Sequence, residues 1–476
     1  MSSSSQASQR LYSLLDENSF VEIGALVKAR NTDFNLKQTD TPSDGVTCGY
    51  GMIDGKLVYV YAQDASVLGG SVGEMHAKKI ANLYDLALKM GAPVIGLIDS
   101  AGLRLQEATD ALNAFGEIYR KQIDASGVVP QITAVLGSCG GGLSLFPEVT
   151  DFTFMEEKNA KLFVNSPNAI PGNSKEKCDT SSASWQSSEV GSVDVTGDEE
   201  TIFAQIRELV SLLPSNNEDT DSFEECTDDL NRVCENLEGS AADPALIFGQ
   251  IADNGVFFET KRNYAKDMVT GFIRLGGATV GVFGNRSALY DEKGEVAEKF
   301  EDRLTAHGCE KAAELVRFCD AFDIPVLSIT NVTGFSTTMC AEKNLAKAMA
   351  SLTAAFANAD VPKVNLITEE AYGSAYVVMN SKSVGADLVY AWNGAKVGMM
   401  DSEMAAKIMY PDANADELKE KRNEYEALCA NASAAASRGY VDFMLEPADT
   451  RKYLVAAFEL LYSKCVNPID KKHTTK

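Results

Sequence analysis

A single spacing constrains this chain more than any other feature. Residues 92–99 (APVIGLID) form an apolar run ending in the small-residue turn Ser100-Ala101-Gly102, and residues 324–331 (IPVLSITN) end likewise in Val332-Thr333-Gly334. A second run, residues 129–136 (VPQITAVL), leads into Gly137-Ser138-Cys139-Gly140-Gly141-Gly142. Its counterpart, residues 361–368 (VPKVNLIT), leads into Ala371-Tyr372-Gly373-Ser374-Ala375. Pro93 and Pro325, Gly102 and Gly334, Pro130 and Pro362, and Gly141 and Gly373 all stand 232 residues apart. Residues 107–126 and 339–358, between the runs, have helical character. The pattern is strand, turn, helix, strand, glycine-rich turn, helix, used twice. A gapless offset shared by four landmarks points to an internal duplication and an α/β fold class.

The remaining organisation follows from composition along the chain. Residues 173–192 are rich in Ser and Lys and read as a linker. A helix is expected over 199–213, stopped by Pro214-Ser215-Asn216-Asn217, and the acidic run 218–229 reads as solvated surface. The second half begins near Asp243-Pro244. At the N-terminus a leading helix is expected over 10–20, then a hairpin over 46–62 turning at Ile53-Asp54-Gly55-Lys56. Two domains are expected, 1–238 and 239–476.

Several chemistries are poorly supplied. The chain carries 68 Asp and Glu against 43 Lys and Arg, a net charge of −25, which argues against a nucleic-acid partner. Its 10 Cys form no CxxC pair and its three His (His76, His307, His473) no cluster, so no metal is expected. Scattered thiols and a polar start without a signal-peptide core fit a cytoplasmic protein. Neither GxxxxGK[ST] nor a convincing GxGxxG occurs.

What the repeated turns offer is backbone. Where a buried strand gives way to a helix, the first N–H groups lack partners and point outward, and glycine lets a ligand oxygen come close. The earlier turns, Ala101-Gly102 and Thr333-Gly334, offer one more N–H each. Two converging amides suit an enolate formed beside a thioester. The structural alternative is that these glycines only allow close helix-to-strand packing. No good general base stands near either turn, which suits a reaction whose substrates supply the base.

These residues resemble the carboxyltransferase component of biotin-dependent acyl-CoA carboxylases, transcarboxylases and decarboxylases. That family includes the propionyl-CoA carboxylase beta subunit and the methylmalonyl-CoA and glutaconyl-CoA decarboxylase alpha subunits. The resemblance runs from about residue 11 to 447 and rests on LLDENSF (14–20), GGSVGE (69–74), DSAGLRLQE (99–107), RFCDAF (317–322) and RGYVD (438–442). It implies two tandem crotonase-like (ClpP/crotonase superfamily) ββα-spiral domains. The first holds the acyl-CoA and the second holds biotin carried on a separate protein. Active sites then form between the first domain of one subunit and the second of another, usually in a hexamer. The resemblance puts an oxyanion hole for the thioester enolate at Gly141 and Gly142, with the Ala101-Gly102 turn, and a second, for the biotin ureido oxygen, at Ser374 and Ala375. Carboxybiotin releases CO2, the biotin nitrogen takes the α-proton, and the enolate attacks CO2; decarboxylation reverses the path.

The chain departs from the family pattern in places. Ser374 replaces a glycine, Thr333 a proline, 336–346 lacks the glycine-rich Gln-Glu stretch, and 181–191 lacks its histidine. No Met-Lys-Met biotinylation site occurs, so a biotin carboxyl carrier protein and either a biotin carboxylase or a membrane decarboxylase subunit are expected as separate chains. The latter would make this the alpha subunit of a sodium-pumping decarboxylase, membrane-associated through its partner. Other readings are a crotonase-type hydratase or isomerase, and a non-catalytic scaffold subunit. Arg104 is a candidate for a substrate carboxylate or CoA phosphate, or for a helix-start ion pair. Gly334 and Tyr372 are candidate substrate contacts, with Tyr376 beside them. Lys78 and Lys79 read as solvated charges, His76 as structural, and Cys139 as a buried, inert thiol.

Overall fold

Asp54 and Gly55 both take positive φ, 49° and 79°, the conformation a two-residue type I′ hairpin requires. They join β2 (Val46–Ile53) to β3 (Lys56–Gln63), paired in register from Val46 with Gln63 to Ile53 with Lys56. The structure, a computed structural model, describes residues 5–32, 41–219, 222–291 and 293–466; His473 lies outside them. The chain condenses into two compact units, Met1–Ser222 and Phe223–Lys476.

In the first unit β3 continues into a parallel array. It pairs with β4 (Val94–Ser100), then β5 (Gln131–Gly140), β6 (Phe152–Glu156) and β8 (Val195–Gly197). β1 (Val21–Ile23) edges β2, and β7 (Lys161–Phe163) pairs with the end of β5. The helix Glu74–Met90 buries Ile80, Leu83, Tyr84 and Ala87, an i, i+3, i+4, i+7 stripe. Ala108–Ala125 buries Ala111, Ala114, Phe115 and Ile118 on the same principle. Both faces meet a core of Tyr61, Val94, Ile98 and Phe146.

The second unit repeats the design. β9 (Phe257–Thr260), β10 (Met268–Leu275) and β11 (Ala278–Asn285) are antiparallel. β12 (Val326–Val332), β13 (Lys363–Tyr372), β14 (Leu388–Trp392) and β16 (Phe443–Leu445) follow in parallel, with β15 (Lys396–Gly398) beside the end of β13. β4 and β12, and β5 and β13, are displaced by 232 residues at all four ends. Even the irregularity repeats: the register slips so that Ser100 meets Cys139, and again so that Val332 meets Ala371. The hairpins are displaced by 222 instead, Val46 to Met268 and Gln63 to Asn285. The ten-residue difference falls where Ala288–Tyr290 and Val296–Lys299 pair as an extra hairpin.

Three expectations need correction. The leading helix is Gln6–Leu14, capped where Ser5 Oγ accepts the Ser8 N–H. It stops early because the Asp16 carboxylate accepts the N–H groups of Asp54 and Gly55, tying the chain to the hairpin turn. Lys79 is buried rather than solvated, its ammonium donating to the carbonyls of Ser43 and Val46. Lys311, its repeat counterpart, donates to Lys261, Tyr264 and Met268. In each unit a buried ammonium gathers the carbonyls at the head of the hairpin. The acidic run is not all solvated: Asp228 receives Arg232 at 2.9 Å, with Arg451 3.6 Å away, and these cations help hold its carboxyl down at about 2.

Candidate active site

The helix Glu74–Met90 begins at Gly73, which has no side chain to cap it. Two carboxylates from elsewhere do so: Glu107 Oε2 accepts the Glu74 N–H at 2.6 Å and Asp44 Oδ2 the His76 N–H at 2.8 Å. Arg104, only 1% exposed, bridges them from Nη1, 2.6 Å from Asp44 and 2.8 Å from Glu107, while Nη2 donates to Ser71 O. Arg104 is therefore the helix-start ion pair of the two alternatives, in buried form. His76 closes the group. Its Nδ1 lies 3.0 Å from Asp44 O, so Nδ1 carries the proton and Nε2 faces the Gln63 amide at 3.3 Å. Burial, then Arg104, pushes its pKa down to about 3, so the imidazole is neutral and structural.

This frame fixes the segment 69–73 against the first small turn. Ala101 N–H donates to Gly69 O at 2.9 Å and Gly102 C=O accepts the Val72 N–H at 2.8 Å. Gly102, with φ 92°, donates its own N–H to Ser100 Oγ at 3.1 Å. Both amides of the Ala101-Gly102 turn thus already have acceptors, and the extra donor expected there is engaged within the fold. In the second unit Thr333 N–H donates to Asp302 O, and a side chain at Gly334 would meet nothing within 4 Å.

The glycine-rich turns are alike in backbone. Gly140 is extended (φ −122°), Gly141 left-handed (φ 64°), and Gly141–Ser144 forms one helical turn. Tyr372 is extended (φ −114°), Gly373 left-handed (φ 61°), and Gly373–Val378 follows as helix. Among the described residues no side chain caps either start, so the first N–H groups of each turn have no side-chain acceptor. Gly142 and Ser374 are exposed and Ala375 is buried. A Cβ on Gly141 would meet nothing within 4 Å, whereas one on Gly142 would sit 3.0 Å from Tyr119 Oη. The carbonyl sides are held: Ser144 Oγ donates to Gly141 O at 2.7 Å and Tyr119 Oη to Gly142 O at 2.6 Å.

Around the second turn, Tyr372 is buried, and its phenol is held well above the ordinary value by burial and by Glu370. Tyr376 packs on the apolar cluster of Ile367, Val389 and Val441. Glu370, three residues before Gly373, is a carboxylate the sequence reading passed over. Burial raises its pKa, and Lys396, 3.9 Å away, lowers it less. It lines an open cleft of about 460 Å³ with Glu238, Thr368, Glu369 and Trp392. None of the nominated site residues lines that cleft. The signal was present in Glu369-Glu370 at the end of an apolar strand. Cys139 is buried, which holds its thiol protonated.

Comparison with known proteins decides the family. The carboxyl transferase domain model matches residues 3–475.

The chain belongs to the carboxyl transferase family.

It is 39% identical over 488 residues to a propionyl-CoA carboxylase carboxyltransferase subunit of Haloferax mediterranei, covering 98% of this chain and 92% of that one. It is equally, 39% over 485 residues, like the methylmalonyl-CoA decarboxylase alpha subunit of Propionigenium modestum, with the same coverage. Among solved structures, transcarboxylase 12S with hydrolysed methylmalonyl-coenzyme A matches with TM-score 0.90 and 33% identity, over 98% of this chain and 91% of that one. A single-chain long-chain acyl-CoA carboxylase shares the fold, at TM-score 0.76 and 21% identity, over 95% of this chain and 45% of that one. The tandem crotonase-like architecture expected from the resemblance is the one found. The reaction of this family is carboxyl-group transfer between an acyl-CoA and biotin, and this chain is an enzyme of that kind. Among the described residues no helix is long and apolar enough to cross a membrane.

Proposed function

We propose that the chain performs this transfer with backbone amides alone as its charge-stabilising groups. The carrying observation is the pair of matched turns, Gly140-Gly141 and Tyr372-Gly373, each delivering uncapped N–H groups at a left-handed glycine. The open space at Gly141 fits a thioester carbonyl, since nothing lies within 4 Å of where a side chain would stand. Gly141 and Gly142 receive the thioester oxygen and hold its charge when the α-carbon becomes an enolate carbon. Ser374 and Ala375 receive the ureido oxygen of biotin; because the donors are N–H groups, the serine side chain at 374 is no obstacle. Biotin, presented on a separate carrier, supplies the nitrogen that carries the carboxyl group and accepts the α-proton. That division of labour fits a site whose buried His76 and Cys139 cannot act as bases or nucleophiles. One such donor is worth about 10²–10³ in kcat.

Assembly into a hexamer is part of this reading, supported by the hexameric transcarboxylase 12S. The relatives include both carboxylases and decarboxylases at equal identity, and this reading leaves the direction of flux to the partner subunit.

The test incubates the purified protein with methylmalonyl-CoA and free biotin and separates the CoA thioesters by chromatography. Biotin-dependent loss of the carboxyl group is expected. Turnover without biotin, or none with it, overturns the reading. Light scattering checks the sixfold mass.

A further inference from the structure

We infer that Ser144 and Tyr119 are positioning residues that together fix Gly142 of the first turn, Ser144 also polarising its N–H. The inference rests on the reading of Gly141 and Gly142 given above, and deepens it.

In a trans peptide the C=O and N–H point in opposite directions and turn together. The Gly141 carbonyl and the Gly142 N–H share one plane; the Gly142 carbonyl and the Leu143 N–H share the next. Ser144 Oγ donates to the first carbonyl at 2.7 Å and Tyr119 Oη to the second at 2.6 Å. Two glycines in succession are the least restrained backbone a chain can carry. Ser144 fixes the plane that carries the Gly142 N–H, and Tyr119 fixes the plane on the other side of the same α-carbon, so Gly142 is held at both of its peptides. A carbonyl that accepts a hydrogen bond makes the N–H of its own peptide a stronger donor, so Ser144 polarises the Gly142 N–H while Tyr119 acts by position.

Both hydroxyls are themselves held. Ser144 is buried, at 7% exposed. Tyr119 comes from the helix Ala108–Ala125, and its ring is locked against Phe115 and Phe146, with centroids 5.8 and 5.9 Å away. The absence of a side chain at Gly142 makes room for it, since a Cβ there would stand 3.0 Å from Tyr119 Oη.

The second unit is built differently. The positions 232 residues on are Ser351, whose Oγ accepts from Arg317, and Tyr376, which packs in the apolar cluster. The clamp therefore belongs to one turn, the one assigned to the oxygen that gains charge as the enolate forms. Rigid donors matter most there, because charge develops only during the reaction.

The experiment measures biotin-dependent decarboxylation of methylmalonyl-CoA by the full chain and by Tyr119→Phe, Ser144→Ala and the double variant. Thermal melting and oligomer mass are followed in parallel. Each single variant is expected to lose about tenfold in kcat, with KM for the thioester within about twofold and melting nearly unchanged. The double variant should lose more than either. Unchanged kcat in both single variants overturns the inference, as does a loss that appears equally in KM or only in step with melting. Should one variant fail to fold, the other decides alone. If the unmodified protein turns over and the variants match it, only the clamp falls. If the unmodified protein shows no biotin-dependent turnover, the reading of the turn falls, and the clamp with it.

Discussion

Replacing Arg104 by methionine tests whether that guanidinium serves the fold or the substrate. The side chain is 1% exposed and its Nη1 lies 2.6 and 2.8 Å from two carboxylates that are themselves fully buried. Removing one partner of a buried ion pair destabilises by about 3–5 kcal/mol, because the remaining charge stays desolvated. Here two charges are stranded, and both cap the helix Glu74–Met90. Arg30, 3.8 Å from Glu107 and more exposed, and Lys79, which interacts with Asp44, are cations left nearby. The expected loss is therefore at the upper end, about 4–5 kcal/mol, in urea denaturation of the first unit at pH 7.5. The deficit has a definite pH dependence. Burial, then Glu107, pushes the Asp44 pKa up, while Arg104 opposes this. Without Arg104 the folded pKa rises further above its unfolded value. A raised carboxyl contributes stability below the unfolded pKa and loses it as pH rises through the folded one. The variant's deficit should therefore shrink as the pH falls into the carboxyl range. A loss under about 1 kcal/mol, or one equal at pH 7.5 and pH 5, refutes the account. So does a raised KM for the thioester with melting untouched, the signature of a substrate contact.

The other predictions concern the turns and the buried titratable groups. Gly142→Pro deletes one amide donor and should lower kcat by about 10²–10³ while the oligomer stays intact; retained turnover refutes the role of that N–H. Gly141→Ala keeps the amide and has open space, but its φ of 64° is unfavourable for alanine; about 1 kcal/mol of stability should be lost with activity within a few-fold. The His76 pKa is about 3 in the fold against 6.5 as its ordinary value, so the stability it contributes is present above 6.5 and is lost as pH falls toward 3. His76→Gln should flatten that acid limb by up to about 1.4 kcal/mol per pH unit, and identical limbs in denaturant titrations refute it. Burial holds the Cys48 and Cys309 thiols at about 12 while Cys429 and Cys465 are exposed; of these four, brief iodoacetamide treatment and peptide mass spectrometry should find label on the latter pair only.

Much of the fold was legible because it is written locally. The proline-led apolar runs mark β4, β5, β12 and β13, and the helix expected over 339–358 is Met339–Asn358. Asp54-Gly55 announces its own turn through the φ angles it demands. What failed was long-range. Nothing near Lys79 tells that the carbonyl of Ser43, 36 residues earlier, receives its ammonium. Likewise Asp44 reaches Arg104 across 60 positions, and Arg451 reaches back to Asp228. The leading helix was misplaced because its end is set by Asp16 bonding to a distant turn. At the site, the glycines were visible but the acceptors already serving Ala101 and Gly102 were not. Ala101's acceptor, Gly69 O, belongs to the segment 69–73, which only folding brings alongside, and Gly102's is the Ser100 hydroxyl.

The left-handed glycine shared by the two turns has a consequence for how such a protein tolerates change. A backbone N–H, which every residue but proline carries, is removed only by that one substitution, and others can at most rotate it out of line. On the proposed reading of the turns, sequence drift around 141 and 373 can then retune which acyl chain or carrier is admitted while the charge-holding amides persist. A saturation scan of this chain should turn up few irreplaceable functional side chains and many positions where shape alone is punished.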